Sequence, residues 1–186
     1  MTVIELSVRV AEKIGLDADE RQRVELAALF HDIGKVAIPQ VIINQPGPLT
    51  DEQWDIMRTH AIRGQELLEK AGGVLAEIGE IVRAIHERWD GTGYPDGLSG
   101  PSIPLAARIV SCCNAFNAMT TRQPYRLPMA QEAALRELVD NAGSQFDPHV
   151  VQTLIAVIRR SVLPKLPALR SADVDSRLDR VVARAS

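Results

Sequence analysis

Cysteine, histidine, aromatic residues and long apolar runs are all scarce in this chain, and each shortage removes a class of protein. The 186 residues hold 2 cysteines, and these are neighbours, Cys112 and Cys113. That spacing excludes a disulfide framework and any CxxC-type zinc site. No run of about 18 apolar residues is present, and the opening MTVIELSVRVAEK lacks a signal-peptide pattern. The expectation is a cytoplasmic protein with no membrane span. A net charge of -3 at pH 7 gives no basic field to hold a long nucleic acid or an anionic membrane. A small phosphorylated ligand gripped by a few Arg and Lys is still compatible with it. With only 4 histidines, His31, His60, His86 and His149, any metal site must use most of them.

What the chain does have is apolar material, 46% of its residues, enough for one globular domain with a core. Aromatic residues are only 4%, and the apolar residues recur mostly at helical spacing, which predicts an all-α, compact helical bundle. A first helix is expected over residues 3–14, ending at Gly15, and a second from about Asp19 with Val24, Ala27, Ala28 and His31 on its buried face. Thr50 with Gln53 forms a capping box for a helix over residues 51–70, with Ile56, His60, Gly64 and Leu67 on one side. Residues 74–89 read as a helix with Ile78, Val82, Ile85 and Trp89 on its core stripe. Residues 90–103, DGTGYPDGLSGPSI, are too rich in Gly and Pro for anything but a loop, and a loop this long in a compact domain is usually functional. Pro104 opens a helix that packs Leu105, Ile109, Cys112 and Phe116 inward, with Asn114 and Asn117 on another face. After the irregular TTRQPYRLP, Pro128 opens a helix ending near Gly143, and Asp147-Pro148 starts the last one. The domain is expected over 1–163, followed by a charged, Pro-broken tail over 164–186.

His31-Asp32 pairs an imidazole with a carboxylate, and histidines on two other helices can approach the same point. Taken singly, a histidine on an apolar helical face is more often a hydrogen-bonded core residue than a ligand. The wording around them carries more. FHDIGKVAIP, MRTHAIRG, HERWDGTGYPDGLSGPSIPLAARI, TTRQPYR and GSQFDPHVV occur in this order over roughly residues 6–160, and in this they resemble the HD-GYP family. The resemblance implies a helical metal-dependent phosphohydrolase fold, and an activity that hydrolyses bacterial cyclic di-GMP through the linear dinucleotide to GMP.

On that pattern His31, Asp32, His60 and His86 are metal ligands, with Asp32 bridging, and the metal is iron or manganese wherever the site is occupied. Asp32 and Lys35 are the catalytic candidates. Lys35, one helical turn after His31, can meet the phosphate, though at a helix C-terminus it also reads as a plain surface residue. Arg122 and Arg126 match cationic contacts to the dinucleotide, with Tyr125 nearby. Gly93, Tyr94 and Pro95 carry the GYP loop, a surface for a protein partner, while Gly91, Gly93 and Gly97 are expected to supply positive φ and Asp90 to cap the loop. A homodimer is compatible with the resemblance. His149 is expected to face solvent, Trp89 the core, and the Cys112-Cys113 pair to serve packing.

The departures point one way. Leu6 stands where the family has a first-helix histidine, Thr2 where some members have a glutamate, Ile85 in place of the first histidine of the HHE signature, and Asn114 and Asn117 in place of acidic residues. Losing ligands at Leu6, Ile85 and Asn114 weakens metal binding, since affinity follows ligand number and type. The expectation is a degenerate HD-GYP domain, weak or inactive as a catalyst, that binds cyclic di-GMP or a protein partner and holds a metal or none. The alternative is an active phosphodiesterase with a reduced metal site.

Overall fold

A computed structural model describes residues 1–122 and 127–162, the side chains of 161 and 162 apart. Its helices are α1 (Val3–Ile14), α2 (Ala18–Phe30), α3 (Gln40–Ile43), α4 (Asp51–Arg58), α5 (His60–Ala71), α6 (Val74–Arg83), α7 (Leu105–Thr120), α8 (Gln131–Asp140) and α9 (Pro148–Val162). Three 3-10 turns, Ile33–Ala37, Ala84–His86 and Gly100–Ser102, join them, and no strand occurs among the described residues. The all-α expectation holds. The 164–186 tail, Arg126 and Tyr125 lie outside the described residues.

Helix starts follow local chemistry. Thr2, Asp17 and Thr50 each accept from the backbone three residues on, and Glu5, Glu20 and Gln53 return the bond, so α1, α2 and α4 all begin with capping boxes. The central core is aliphatic: Leu6, Val10, Val24, Ile78, Val82, Ile85, Ile109, Leu138 and Leu154 are buried, and Cys112 and Cys113 pack among them. α1 lies on α2, α7 and α9, while α5 lies on α6 and on the turn Ile33–Ala37.

Several expected elements differ. The helix predicted over 51–70 breaks at Thr59, because the Thr59 hydroxyl donates to the Ile56 carbonyl and the His60 Nδ1 to that of Met57, displacing the backbone bonds that would continue it. The expected stripe changes with it: Ile56 is 41% and Leu67 37% exposed, and the buried side is His60, Ala61, Gly64 and Leu68. The helix expected to reach Trp89 stops at Arg83, since Glu87 is extended and its carboxylate accepts from the Asp96 amide. Trp89 is half-buried under the Arg108 guanidinium, 5.6 Å from its ring centroid. Pro128 opens no helix; the Met129 amide donates back to the Met119 carbonyl at 2.8 Å, and α8 begins only at Gln131.

Two contacts fix the turns that carry chemistry. Gly34 sits in the turn after α2 with its backbone directly against the His60 carbonyl and the Gly64 amide, leaving no room for a Cβ. On the far side, Arg108 donates to the Ile103 carbonyl at 2.8 Å and to Asp147 at 2.6 Å, while the other Asp147 oxygen accepts from the His149 amide at 2.8 Å. This pair is largely buried, and it binds the end of the long loop to the start of α9.

Gly34→Ala should lose about 3 kcal/mol in urea unfolding, because the new methyl meets backbone that cannot move aside. Gly64→Ala should lose only about 1 kcal/mol, since its methyl meets the movable Val82 side chain at 3.0 Å. Asp147→Ala should lose about 3–5 kcal/mol by the same measurement, as it strands the Arg108 charge and uncaps α9.

Candidate metal centre

The cluster is built from three connections. His31 closes α2, Asp32 follows in non-helical geometry, and Lys35 lies one turn on. His60 enters from the α4 to α5 break and is only 3% exposed. His86 comes from the 3-10 turn that ends α6. The His31 Nδ1 donates to the Ala28 carbonyl at 2.8 Å and the His60 Nδ1 to the Met57 carbonyl at 2.6 Å. Each bond fixes the tautomer and leaves Nε2 as a bare donor atom, the arrangement found in metal-ligating histidines. The His60 and His86 Nε2 atoms are 2.8 Å apart, within hydrogen-bond distance of one another. One ligand atom each from Asp32, His60 and His86 lies within 4.8 Å of the others.

His31 meets this cluster at Asp32, its Nε2 standing 3.5 Å from the Asp32 oxygen that also receives the Lys35 ammonium at 2.9 Å. Burial opposes ionisation of Asp32, but the Lys35 hydrogen bond and charge outweigh it and hold the carboxyl below its ordinary value. Burial, followed by repulsion from His60, pushes His86 down to about 3, and burial likewise lowers His60. Both imidazoles are therefore neutral at neutral pH, the form that ligates metal. One carboxylate and two neutral imidazoles suit a divalent transition metal and leave coordination positions for water or a phosphate oxygen.

The GYP loop faces this cluster. The Tyr94 ring stacks on His86 with centroids 5.1 Å apart and planes 4° from parallel, and its amide donates to the His86 carbonyl at 3.2 Å. Gly93, Tyr94 and Pro95 are all half-buried, so the loop is turned inward where an exposed docking surface was expected. Arg83 grips Asp96 through two bonds of 2.6 and 2.7 Å, and Glu87 holds the Asp96 amide at 2.7 Å. Gly91 and Gly97 have positive φ as expected, but Gly93 does not; it is glycine because a Cβ would strike the backbone of Glu87 and Arg88. Asp90 caps the loop as expected, and the bonds it accepts from Arg88 first and Thr92 second pull its carboxyl down to about 2.

Leu6 and Ile85 are each 1% exposed and belong to the apolar core, and Asn114 is half-buried on α7. His149 is exposed at the start of α9 and Arg122 is exposed just past α7. Arg58, Arg83 and Glu87 were not singled out from sequence, although Arg58 and Glu87 flank the ligand candidates His60 and His86 by two residues or fewer. Arg58 places its guanidinium 5.9 Å from the Tyr94 ring centroid.

The HD domain family model matches residues 1–150. The chain belongs to the HD domain family. It is 41% identical over 147 residues to the cyclic di-GMP phosphodiesterase response regulator RpfG of Xanthomonas campestris pv. campestris, covering 78% of this chain and 39% of that protein. It is 39% identical over 151 residues to a cyclic di-GMP phosphodiesterase of Thermotoga maritima, covering 81% of this chain and 41% of that one. The HDG"Y"P protein Bd1817 from Bdellovibrio bacteriovorus matches in structure with a TM-score of 0.68 at 26% identity, over 85% of this chain and 50% of that chain. The HD domain thus spans about two fifths of the length of these curated relatives. The HD-GYP resemblance read from the motifs stands. Among the described residues no helix is long and apolar enough to cross a membrane.

In metal-free protein the His86 imidazole should stay neutral down to about pH 3, while in the unfolded chain it protonates near 6.5. Between those values the unfolded state binds more protons, so this group costs the fold stability as pH falls through that window. An NMR titration of chelator-treated protein should show no His86 protonation near 6.5; titration there contradicts the buried, neutral pair.

Proposed function

We propose that this HD domain is a degenerate HD-GYP module of bacterial cyclic di-GMP signalling, cytoplasmic, that binds the dinucleotide and hydrolyses it weakly or not at all. The observation that carries the reading is the burial of Leu6 and Ile85, both 1% exposed, where the family pattern places ligating histidines. Their side chains have joined the aliphatic core, so the ligand set is reduced to Asp32, His60 and His86, with His31 beside Asp32.

A divalent metal, iron or manganese, would be held by those three side chains and would polarise a phosphodiester oxygen. The chain's own groups do the rest. Lys35 offers an ammonium to the phosphate by exchanging its bond with Asp32, and the His31 and His60 rings are oriented by the Ala28 and Met57 carbonyls. Tyr94 walls one side through its stack on His86. Arg122 and Arg126 stay as candidate dinucleotide contacts. A protein partner at the loop would meet its exposed residues Asp96, Gly97 and Ser99.

A second reading is an active phosphodiesterase working from one metal site. The gathering of Asp32, His60 and His86 within 4.8 Å favours it.

Metal content by mass spectrometry, cyclic di-GMP binding by calorimetry and turnover by chromatography separate the two readings. The degenerate module should bind the dinucleotide, and a Leu6→His, Ile85→His, Asn114→Asp variant should gain at least about 100-fold in hydrolysis. Unaltered protein turning over at about 1 per second or faster would establish the single-metal enzyme instead. Asp32→Ala should abolish metal retention under either reading.

A further inference from the structure

We propose that Arg58 is the recognition residue for the second, non-scissile phosphate of a cyclic dinucleotide whose first phosphate is held at Asp32, His60 and His86. The assignment rests on the reading of that site given above.

Arg58 is the last residue of α4, and Thr59 ends the helix directly after it. The same break that turns His60 into the protein therefore leaves Arg58 at the rim, with its side chain 53% exposed. Its guanidinium carbon stands 5.9 Å from the centroid of the Tyr94 ring, and that ring stacks at 5.1 Å on His86. A cation over an aromatic face keeps its position without using its N–H donors. The polar partner it does have is Asp55, at 3.4 Å on an exposed surface, a pair too long and too wet to engage a five-donor fork strongly. The guanidinium is thus placed, oriented and largely available.

The second cation of the site is differently committed. The Lys35 ammonium is bonded to Asp32 at 2.9 Å, on the carboxylate side of the cluster. Arg58 stands over the Tyr94 ring, whereas Lys35 is bonded to the Asp32 carboxylate. Lys35 and Arg58 therefore border different walls of the cluster, one at the carboxylate and one at the ring. A cyclic dinucleotide carries two phosphodiesters across a ring, so one gripped at the histidines presents the other outward. A planar guanidinium at the rim matches that second phosphate with paired bonds.

The test uses the full chain loaded with manganese and titrates cyclic di-GMP and GMP by calorimetry. GMP has a single phosphate and reports on the cluster alone. Arg58→Ala should weaken cyclic di-GMP about tenfold or more and change GMP by less than about twofold, with the melting temperature unaltered. Arg58→Lys should recover part of the loss, because it restores charge without the fork. Asp55→Asn should leave cyclic di-GMP binding equal or about twofold tighter, as it frees the guanidinium. Equal losses for GMP and cyclic di-GMP in Arg58→Ala would place the contact at the base or the cluster and overturn the assignment, and no loss for either would do the same. Unaltered protein that binds GMP and not cyclic di-GMP overturns the dinucleotide reading, and this assignment with it.

Discussion

Gly34 has no side chain, and the centre depends on that. The turn that follows α2 must press its backbone onto the His60 carbonyl and the Gly64 amide of α5 for Asp32 to come within ligand distance of His60. A methyl at this point would wedge the turn away from α5 and separate the carboxylate from the imidazoles. Gly64 on the opposing helix completes the approach, and the Val82 side chain of α6 closes behind it. Close backbone packing of this kind is rigid, because neither partner has a rotamer to yield. The HD turn, α5 and α6 therefore behave as one block, and the positions of Asp32 and His60 are set by packing before any ligand is considered.

On that block the polar groups are arranged by backbone carbonyls. Ala28 and Met57 each take a histidine Nδ1 proton, so two rings are fixed in tautomer and direction by the helices that carry them. His86 is fixed differently, by its bond to His60 and by the Tyr94 ring against its face. The long loop is held by Arg83, Glu87 and the Gly93 approach at one end and by Arg108 and Asp147 at the other. Loop geometry and histidine geometry are consequently coupled: a disturbance at Asp96 reaches His86 through Tyr94.

Helix existence, the capping box at Thr50, the loop and the histidines near the site were all legible in the residues, because helical periodicity and capping are local properties. The break at Thr59 was not. A Thr-His pair inside an amphipathic stretch gives no periodic signal, and only the side-chain bonds to the Ile56 and Met57 carbonyls end the helix. The exposure of Ile56 and Leu67 follows from the same break, which resets the buried face of α5. Gly93 was legible as a necessary glycine but for the wrong reason; close approach to Glu87 and Arg88 is a tertiary fact. Arg58 escaped notice for a similar cause, since its significance lies in a ring 36 residues along the chain.

The residues that remain and those that are replaced differ in what the fold requires of them. His60 satisfies the Met57 carbonyl at a helix break and a second imidazole at 2.8 Å, and His86 supports the Tyr94 stack, so each has structural work independent of metal. Removing either leaves buried polar partners unpaired, which is costly. Positions 6 and 85 carry no such obligations. They lie within the aliphatic core, where a histidine without a metal would be a desolvated polar group and a Leu or Ile is favourable. An apolar side chain therefore suits positions 6 and 85 on packing grounds alone, while His60 and His86 have hydrogen-bond and stacking partners of their own. Asp32, His60 and His86 are thus held together by bonds of the fold's own, and the Lys35 and Arg58 cations beside them supply the charge that an approaching anion meets.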